Sequence, residues 1–555
     1  SFYIKRLRRL YPALVVTILL TLISGSFVFM PHEMRELGQS AVGVVAYLSN
    51  VFFWLKSDYF DGPSELKPLL HTWSLAVEEQ FYILFPLLLL SIYKFCRTVP
   101  VYYFVLLIAT SFTGCLFVQG IENSAAFYLM PFRAWEFLLG SLCSFYLAQN
   151  KETDSYTTRS LPILGIILIF GSIFLLDETY LFPGLSAIPV TLGTALVIAF
   201  LHEGTFVYRV LASSPMVFVG KISYSTYLVH WPIVVFYKYT IMREPDFAEK
   251  IMMCTLSFLI GFLFYRFIEN AFRATTISKK HIRQTVLATA FCSIVIASFG
   301  VLTHFKEGFT NRYQLDPASQ QKFQSAFSQG ANCFLSTEET ASLWTGRLCY
   351  IGGFDEKKET TLLWGDSHAN HLVQGVLAIS EQISNNILLF ASAGCAPILG
   401  ESPHNRPNCE ENNKLALSIV KEYNVKKIVL ASNWQYARSQ GVEIENVSRT
   451  IQHLLTLNID ISIVGQVPIY STHNPQYLSI RLSENINFDG NWAMKPSKGF
   501  IEREIIKGLS LPKTIKTFDP FETFCTNGKC LIMRNHILMV VDSAHLSVDG
   551  SKTLV

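Results

Sequence analysis

Hydrophobic and polar positions divide the chain into two regions with different patterns. Up to about residue 305 long apolar runs follow one another; beyond it charged and polar residues return, and no apolar run is as long. A bilayer core about 30 Å thick requires about 20 apolar residues in a helix. The first region is therefore predicted to be a polytopic α-helical membrane bundle, and the second a water-soluble domain.

Ten apolar runs qualify as candidate membrane spans. Two of them, 38–56 and 161–176, are short or mixed, so ten is the upper limit of a predicted range of eight to ten spans. The candidate spans are 11–30, 38–56, 76–95, 101–120, 125–148, 161–176, 183–202, 215–238, 250–268 and 284–303.

The polar stretch 305–330 is predicted to link a membrane domain, 1–304, to a soluble domain, 331–555. In the soluble domain short strand-like runs alternate with helix-like stretches, a pattern that predicts an α/β fold with a parallel sheet and helices on both faces. The strand-like runs are 361–364, 386–390, 427–432 and 461–470, and the helix-like stretches are 369–382, 412–423 and 444–457.

The basic residues predict the orientation of the membrane domain. Four of them lie within 5–9, just before the first span, and three within 279–283, just before the last. Basic clusters favour the cytoplasmic side, so the last span is expected to leave the membrane on the opposite side near His304. The soluble domain is therefore predicted to be periplasmic or extracellular.

Cysteine usage agrees with that orientation. Five cysteines lie in or beside apolar runs and are read as packing residues, whereas six fall in the soluble domain, an even number that predicts disulfides and an oxidising compartment. Nearest-neighbour pairing is our prediction, although six cysteines allow fifteen connectivities. The absence of a CxxC motif or of His/Cys ligand spacing argues against a metal site. The six are Cys333, Cys349, Cys395, Cys409, Cys525 and Cys530.

Composition narrows the function classes further. Half of the residues are hydrophobic and only 16% are charged, as in a polytopic membrane protein. The net charge of +3 comes with no Lys/Arg tract interleaved with aromatic residues, so nucleic acid is not an expected partner.

The sharpest motif of the soluble domain is GDSH at 365–368, directly after a predicted strand and before a predicted helix. This position places Ser367 at the carboxyl end of a strand, where α/β sheets bind ligands. A nucleophilic serine needs a base and the base an orienting carboxylate, and Asp542 stands three residues before His545 near the other end of the domain. Either motif alone would suit a turn or a helix cap, but together they predict a Ser367, His545, Asp542 triad.

Acyl transfer also requires donors for the tetrahedral oxyanion. The candidates are the backbone N–H groups of Ser367 and Gly394 and the side chain of Asn433, each after a predicted strand. The alternative is that Gly394 relieves a turn beside Cys395 and that Asn433 forms an Asx turn at a strand end.

These blocks resemble the SGNH, or GDSL-like, hydrolase family. GDSH matches its nucleophile block and Asp542-x-x-His545 its last block, while Gly394 and Asn433 match the two oxyanion blocks. Asn433 lies in SNW instead of the family's common GxND. The resemblance implies a flavodoxin-like α/β fold.

Ionisable residues inside apolar spans are costly and are functional candidates by default. His71, Ser74 and Glu78 have the spacing of one helix face at the start of the third span and are expected to line a cavity together. The alternative for all of these residues is an interhelical ion pair or an interfacial position, and it is preferred for Arg266 and Glu269 at the end of the ninth span. The membrane-domain candidates are His71, Ser74, Glu78, Arg133, Glu136 and His230.

Taken together the membrane motifs resemble the acyltransferase-3 family over roughly residues 1–300. The matching runs are FYIKRLRRLYPAL (2–14), LHTWSLAVEEQFY (70–82), FRAWEFLLG (132–140), ISYSTYLVHWP (222–232) and YRFIENAFR (265–273). With a C-terminal SGNH domain, the architecture is similar to that of bacterial O-acetyltransferases that modify lipopolysaccharide O-antigen or other envelope glycans. The family's Arg-x-x-Arg falls on Arg6 and Arg9, which suit the phosphates of acetyl-CoA as acyl donor.

The resemblance also implies a preceding helix with an Arg and a His, which is expected upstream of Ser1 because the chain does not begin with Met. The expected protein is a multi-pass bacterial inner-membrane O-acyltransferase without a bound cofactor. It would pass an acyl group from acyl-CoA through the bilayer to Ser367 and on to a glycan hydroxyl. Two alternatives stay open, namely a membrane-tethered glycan O-acetylesterase and a non-enzymatic polysaccharide export component.

Overall fold

The computed structural model describes the chain in two compact units, one ending at Arg312 and one beginning at Cys333. Most of the predicted linker, 313–330, lies outside the described residues. The described ranges are 2–56, 66–96, 101–149, 156–176, 180–241, 245–273, 279–312, 333–336, 339–403, 406, 408–470, 475, 477, 489–512 and 514–555.

The first unit consists of packed helices. A π-helical turn, Tyr265–Glu269, joins the twelfth helix to the thirteenth. The helices are α1 (Phe2–Val28), α2 (Pro31–Val45), α3 (Ser49–Leu55), α4 (Thr72–Cys96), α5 (Val101–Gln119), α6 (Asn123–Tyr128), α7 (Met130–Gln149), α8 (Tyr156–Leu175), α9 (Ile188–Phe200), α10 (Phe206–Leu211), α11 (Ser214–Ile241), α12 (Phe247–Phe264), α13 (Asn270–Phe272) and α14 (Lys279–Phe305).

Length and composition identify this unit as a multi-pass membrane domain. Among the described residues five helices can cross a bilayer: Tyr3–Val28, Thr72–Lys94, Val101–Gln119, Phe247–Phe272 and Ile282–Phe305. Arg159–Leu175 and Gly184–Phe200 are shorter apolar helices. Large apolar side chains point outward, and Phe117 and Phe174 are 70% and 81% exposed. Such surfaces suit a hydrocarbon solvent and are rare on water-soluble proteins.

The predicted span 38–56 is wrong as a single helix. Helix α2 ends at Val45 because Tyr47 adopts a left-handed conformation (φ 54°), and its N–H and that of Leu48 donate to the carbonyls of Val44 and Gly43. This Schellman arrangement satisfies the last carbonyl groups of α2 and redirects the chain into the short helix α3. Tyrosine in place of the usual glycine hides the break from the sequence.

The second unit is built on a parallel sheet in the order β1-β4-β3-β5-β6-β8, with β2 antiparallel to β4. Its central strand β3 is buried at every residue, which explains the uninterrupted apolar run. The strands are β1 (Phe334–Leu335), β2 (Tyr350–Ile351), β3 (Thr360–Gly365), β4 (Asn386–Ser392), β5 (Val425–Ala431), β6 (Asp460–Val464), β7 (Trp492–Met494), β8 (Lys516–Phe518), β9 (Cys525–Thr526), β10 (Lys529–Arg534) and β11 (Ile537–Leu538).

Helices alternate with these strands, and the predicted fold class is confirmed: a helical membrane region followed by an α/β domain with a parallel sheet. The helices of the second unit are α15 (Ser367–Asn370), α16 (Val373–Ala378), α17 (Cys409–Glu422), α18 (Trp434–Ser439), α19 (Val447–Thr456), α20 (Phe500–Gly508), α21 (Pro520–Phe524) and α22 (Val548–Leu554).

Three details of the predicted elements differ from the structure. The helix predicted at 369–382 is the pair α15 and α16, and the strand predicted at 461–470 ends at Val464. Gly465 and Pro468 follow that strand, and both residues disfavour the hydrogen bonding between strands in the interior of a sheet. A second, antiparallel sheet of β7, β9, β10 and β11 was not predicted, because its strands are only two to six residues long.

Three disulfides join nearest neighbours, as predicted: Cys333–Cys349, Cys395–Cys409 and Cys525–Cys530. Each closes a local loop, of 16, 14 and 5 residues in that order. The second disulfide begins at the residue directly after Gly394, at the carboxyl edge of the parallel sheet.

Candidate active site

The turn between β3 and α15 presents Ser367. A Cβ on Gly365, the last residue of β3, would lie 1.7 Å from the Ala431 carbonyl oxygen, so only glycine allows β3 and β5 to approach this closely. Asp366 then caps α15 by accepting a hydrogen bond from the His368 N–H (2.8 Å). Ser367 therefore starts a helix directly at the carboxyl end of the central strand.

The structure brings the three predicted triad residues together. His545 Nε2 lies 2.9 Å from Ser367 Oγ, and His545 Nδ1 lies 2.8 Å from Asp542 Oδ2. A carboxylate can only accept, so Nδ1 carries the proton and, in the neutral ring, Nε2 holds the lone pair that faces Ser367. This is the arrangement of a serine nucleophile, its base and an orienting carboxylate.

A tight turn between β11 and α22 holds the base and its carboxylate. The backbone N–H groups of Ala544 and His545 both donate to Asp542 Oδ1 at 2.8 Å, and the Val541 N–H donates to the His545 carbonyl at 2.9 Å. Asp542 therefore uses one oxygen to shape the turn and the other to orient the imidazole. The three-residue spacing of the two side chains makes both contacts possible.

Electrostatics prepare His545 as a base. Burial acts to lower the pKa of His545, but the Asp542 carboxylate outweighs it and raises that pKa above its ordinary value. Desolvation would raise the pKa of Asp542, yet the imidazole and the two backbone N–H groups lower it to about 2. Asp542 is thus ionised under any physiological condition and stabilises an imidazolium at residue 545.

Asp366 links the serine turn to the end of the neighbouring strand, a role that the sequence did not reveal. Its carboxylate accepts from Ser432 Oγ (2.7 Å) and from the Asn433 N–H (2.9 Å), in addition to the His368 N–H. Burial raises the pKa of Asp366 to about 6 despite these donors. The aspartate of GDSH therefore fixes the position of Asn433 relative to Ser367.

Gly394 and Asn433 follow β4 and β5, the two neighbours of β3, so both lie at the edge that carries Ser367. Gly394 has a φ of +67°, and a Cβ there would lie 3.0 Å from Cε1 of Tyr436. Asn433 Oδ1 accepts from the Tyr436 N–H (3.1 Å) and caps α18, as in the predicted alternative of an Asx-type turn. In the part of the chain that the structure describes, no hydrogen bond occupies the amide nitrogen of Asn433, and the oxyanion roles stay predictions.

Two further histidines surround the base and were missed by the sequence reasoning. The rings of His368 and His371 lie 5.3 and 6.2 Å from the ring of His545, and His371 Nδ1 accepts from the Leu546 N–H (3.4 Å). Burial lowers the pKa of both His368 and His371, so these rings are neutral and can pack around the catalytic imidazole. Their spacing after the serine, in GDSHANH, was the available signal.

Both arginines predicted to bind coenzyme A phosphates are paired with carboxylates in the first unit. Arg6 contacts Glu78 (2.7 Å) and Glu79 (2.6 Å), while Arg9 lies 3.4 Å from the buried Glu269. Phosphate would have to compete with these carboxylates, so phosphate binding at Arg6 and Arg9 stays a prediction. The expected interhelical ion pair of Glu269 exists, with Arg9 as its partner.

His71, Ser74 and Glu78 have different partners in the structure, and their shared role in lining a cavity stays a prediction. Helix α4 begins at Thr72, so His71 precedes it, and Ser74 Oγ lies 2.5 Å from Tyr227 Oη and 3.1 Å from the His71 carbonyl. Glu78 lies further along the helix and pairs with Arg6 instead. His71 and Ser74 thus form one group, and Glu78 belongs to another.

His230 joins the group of His71, because the two rings lie 5.6 Å apart. Arg133 and Glu136 form a separate bidentate pair with contacts of 2.6 and 2.9 Å. Trp73 and Phe182 each lie 5.3 Å from the Arg133 guanidinium, so aromatic rings enclose the pair. Within the described ranges no cluster of His, Cys, Asp or Glu could hold a metal ion.

Comparison with protein families gives one match within each of the two units. Residues 1–266 match a family model described as an acyltransferase domain, of the acyltransferase-3 type. Residues 332–555 match a model described as an SGNH domain fused to AT3 domains.

Individual relatives each match a part of this chain. An uncharacterized protein of Haemophilus influenzae is 34% identical over 208 residues, which cover 36% of this chain and 85% of that protein. The peptidoglycan O-acetyltransferase OatA of Listeria monocytogenes is 27% identical over 287 residues, 49% of this chain and 46% of OatA. The chain thus spans about half the length of that relative. The solved periplasmic domain of a Salmonella Paratyphi A lipopolysaccharide acetyltransferase is 18% identical, with a TM-score of 0.35, and the match covers 44% of this chain and 95% of that domain.

Proposed function

Because the chain belongs to the acyltransferase-3 family and carries an SGNH domain of the kind fused to it, we propose that it is a membrane O-acetyltransferase acting on a cell-envelope polysaccharide. The donor is a cytoplasmic acyl-CoA, and the acceptors are sugar hydroxyls such as those of lipopolysaccharide O-antigen. The observation that carries the proposal is the hydrogen-bonded chain from Ser367 Oγ through His545 to Asp542, with distances of 2.9 and 2.8 Å.

The chemistry of the soluble unit proceeds in two acyl transfers. Ser367 Oγ gives its proton to His545 Nε2 and attacks the acyl carbonyl, and the Ser367 and Gly394 N–H groups with the Asn433 amide stabilise the oxyanion. His545 returns the proton to the leaving group, which produces an acyl-serine. A sugar hydroxyl then gives its proton to His545 and attacks the acyl carbon, the ester bond to Ser367 breaks, and His545 returns the proton to Ser367 Oγ.

The acetyl group and the envelope acceptor are supported by relatives and by the compartment. The Listeria relative is by name a peptidoglycan O-acetyltransferase. Three disulfides in the second unit suit an oxidising compartment, and the basic residues before the first span suit a cytoplasmic start. We therefore place the chain in the bacterial inner membrane, with domain 1–304 crossing it, 305–330 as linker, and 331–555 in the periplasm.

The direct experiment measures O-acetyl groups on purified lipopolysaccharide and peptidoglycan from cells with the native gene, without it, and with Ser367→Ala. The proposal predicts that one glycan loses its acetyl groups without the gene and with Ser367→Ala. The matched control is Ser380→Ala, whose exposed hydroxyl donates to the Leu377 carbonyl of its own turn.

Other outcomes identify the alternatives. A rise in acetyl content on loss of the gene would mean that the triad hydrolyses esters. A fall in the amount of surface glycan, with unchanged acetyl groups per sugar in Ser367→Ala cells, would mean an export role. Either result would overturn the proposal.

A further inference from the structure

Four polar side chains meet inside the first unit, where the start of α4 faces the middle of α11. They are His71, Ser74, Tyr227 and His230. The His71 ring lies 5.3 Å from the Tyr227 ring and 5.6 Å from the His230 ring, both edge-on. This group contains imidazole nitrogens, which can take up an acyl group.

The two hydroxyl groups of the cluster are bound to the backbone. Tyr227 Oη donates to the His71 carbonyl at 2.5 Å, and Ser74 Oγ lies 2.5 Å from Tyr227 Oη. Tyr227 and Ser74 therefore fasten α11 to the residue that precedes α4. They position the cluster and leave the chemistry to the imidazoles.

The tautomer of His230 is fixed by its backbone contact. His230 Nδ1 lies 2.6 Å from the Tyr227 carbonyl oxygen, which can only accept, so Nδ1 carries a proton. In the neutral ring the lone pair is then on Nε2. Among the described residues no hydrogen bond occupies this nitrogen.

Accessibility distinguishes the two histidines of the cluster. Both ring nitrogens of His71 are fully enclosed, whereas His230 is only half-buried. The His71 ring forms one wall beside His230, and the Trp231 indole is fastened nearby through its N–H to the Lys67 carbonyl (2.9 Å). A reactant can therefore reach Nε2 of His230 and cannot reach His71 in this conformation.

The cluster lies between the two ends of the helical bundle. Helix α11 runs beside α1, with Tyr224 Oη bonded to the Leu10 carbonyl (2.8 Å) and the Tyr239 ring 4.8 Å from that of Phe29. His230 is six residues, or about 9 Å, from Tyr224 and about 14 Å from Tyr239. The accessible nitrogen thus lies at mid-height of the bundle.

The rise per residue of α4 gives the distance between the cluster and Arg6. Glu78, which contacts Arg6, lies seven residues beyond His71 along α4, or about 10 Å. A donor whose charged groups are held at the Arg6 end would extend its thioester toward His230.

We propose that His230 Nε2 accepts the acyl group from an acyl thioester inside the membrane unit, upstream of Ser367; this inference rests on the proposed function. The Nε2 lone pair attacks the thioester carbonyl, the C–S bond breaks, and the thiolate takes a proton from water. The acyl-imidazolium keeps its Nδ1–H on the Tyr227 carbonyl. A hydroxyl then attacks the acyl carbon, the C–N bond breaks, and the hydroxyl proton leaves to solvent while Nε2 regains its lone pair.

If His230 is acylated covalently, the transfer of the acetyl group from acetyl-CoA to His230 can run in both directions without any glycan. The test uses membranes containing full-length Ser367→Ala protein, acetyl-CoA and isotopically labelled free coenzyme A, and measures label that enters acetyl-CoA. We expect exchange in Ser367→Ala, and its loss to the level of protein-free membranes in Ser367→Ala/His230→Gln. Persistent exchange in the double variant would overturn the proposal.

A matched histidine controls for general effects of the substitution. His202 has the same type of contact, Nδ1 to the Phe200 carbonyl at 2.7 Å, and lies outside the cluster, so Ser367→Ala/His202→Gln should exchange normally. Acid-quenched Ser367→Ala protein gives a second measurement that does not depend on a His230 variant. Mass analysis should find acetyl on His230, and acetyl on another side chain instead would contradict the proposal.

The native protein separates this inference from the proposed function. If native membranes acetylate glycan from acetyl-CoA while Ser367→Ala membranes show no exchange, the histidine step is wrong and the acetyltransferase activity stands. If native membranes transfer no acetyl group to any glycan, the proposed function itself fails.

Discussion

His545 Nε2 lies 2.9 Å from Ser367 Oγ, although 178 residues separate the two in the chain. Neither residue acts alone, because serine at neutral pH needs a base to become a nucleophile. The parallel sheet supplies Ser367 at the end of β3, and the turn after β11 supplies His545 from the far end of the domain. The contact therefore depends on the whole second unit being folded.

Asp542→Asn should change both the orientation of the His545 imidazole and its basicity. The amide cannot hold the imidazole in the reactive tautomer as the carboxylate does, and the corresponding change in serine proteases lowers kcat by about 10⁴. Because the Asp542 carboxylate raises the pKa of His545, its loss lowers that pKa, and the base form persists to lower pH. The acid limb of the residual activity should move to lower pH.

The measurement is the pH profile of acetyl transfer from a chromogenic acetyl ester by full-length protein in detergent. Asp549→Asn, in the first turn of α22, serves as the control and should keep the native profile. An Asp542→Asn profile with an unmoved acid limb would mean that His545 is not the titrating base.

Gly394→Ala tests the oxyanion site. The substitution strains a residue at φ +67° and places a Cβ 3.0 Å from the Tyr436 ring, which displaces the N–H donor of residue 394. Loss of one oxyanion donor costs about 10²–10³ in kcat, so a fall of that size with little change in KM is expected.

Gly400→Ala is the control for backbone strain. Gly400 has a φ of +78°, and a Cβ there would meet nothing within 4 Å. Gly400→Ala has the same cost of a left-handed alanine as Gly394→Ala, about 1–2 kcal/mol, but its new Cβ displaces no neighbouring group. Equal losses of activity in the two variants would assign the effect to stability instead of oxyanion binding.

Asp366→Asn should weaken both the fold and the site. One oxygen that accepts from Ser432 Oγ or from the backbone N–H groups becomes a donor, and a buried donor left without an acceptor costs roughly 1–3 kcal/mol. Because Asn433 moves with this network, kcat should fall as well. Asp355→Asn, in an exposed turn, should change neither quantity.

The same carboxyl group adds a pH dependence to stability. Burial raises the pKa of Asp366 to about 6, so the native protein holds this proton more tightly than the unfolded chain does. Its contribution therefore lowers the free energy of unfolding as pH rises from about 4 to about 6. The difference in melting temperature between the native protein and Asp366→Asn should vary over that interval, and a constant difference would contradict the assignment.

Removal of the Cys395–Cys409 disulfide should reduce stability and activity together. It closes a 14-residue loop, which by chain entropy is worth about 3 kcal/mol, and Cys395 directly follows Gly394. The double serine variant should inactivate at a lower temperature and turn over more slowly. The Cys525–Cys530 pair closes only five residues, for about 2 kcal/mol, and its removal should leave kcat unchanged. If removal of either disulfide changed kcat equally, the loop closed by Cys395–Cys409 would have no special role in positioning the active site.

The triad could be predicted from the sequence because its residues lie in two short, contiguous motifs. GDSH follows a strand, and Asp542 and His545 share one turn, so strand order alone was needed to bring them together. The network of Asp366 could not be read in this way, since its partners Ser432 and Asn433 come from another strand. Contacts across the sheet have no signature in a single sequence.

The membrane unit shows the same limit. Hydropathy located the long helices but missed the break at Tyr47, where a left-handed residue ends α2 within an apolar run. Helical spacing could place His71 and Glu78 along one helix, but it could not reveal their partners, Tyr227 and Arg6. Which ionisable residue meets which is decided by helix packing, and single-chain periodicity contains no information on it.

In the proposed function the acyl group passes through Ser367. The most direct measurement is mass analysis of full-length protein in membranes, acid-quenched after incubation with isotopically labelled acetyl-CoA and without added glycan. We expect labelled acetyl on Ser367, and its loss when unlabelled acceptor glycan is added before the quench. An unmodified Ser367 in membranes that still acetylate glycan would contradict it.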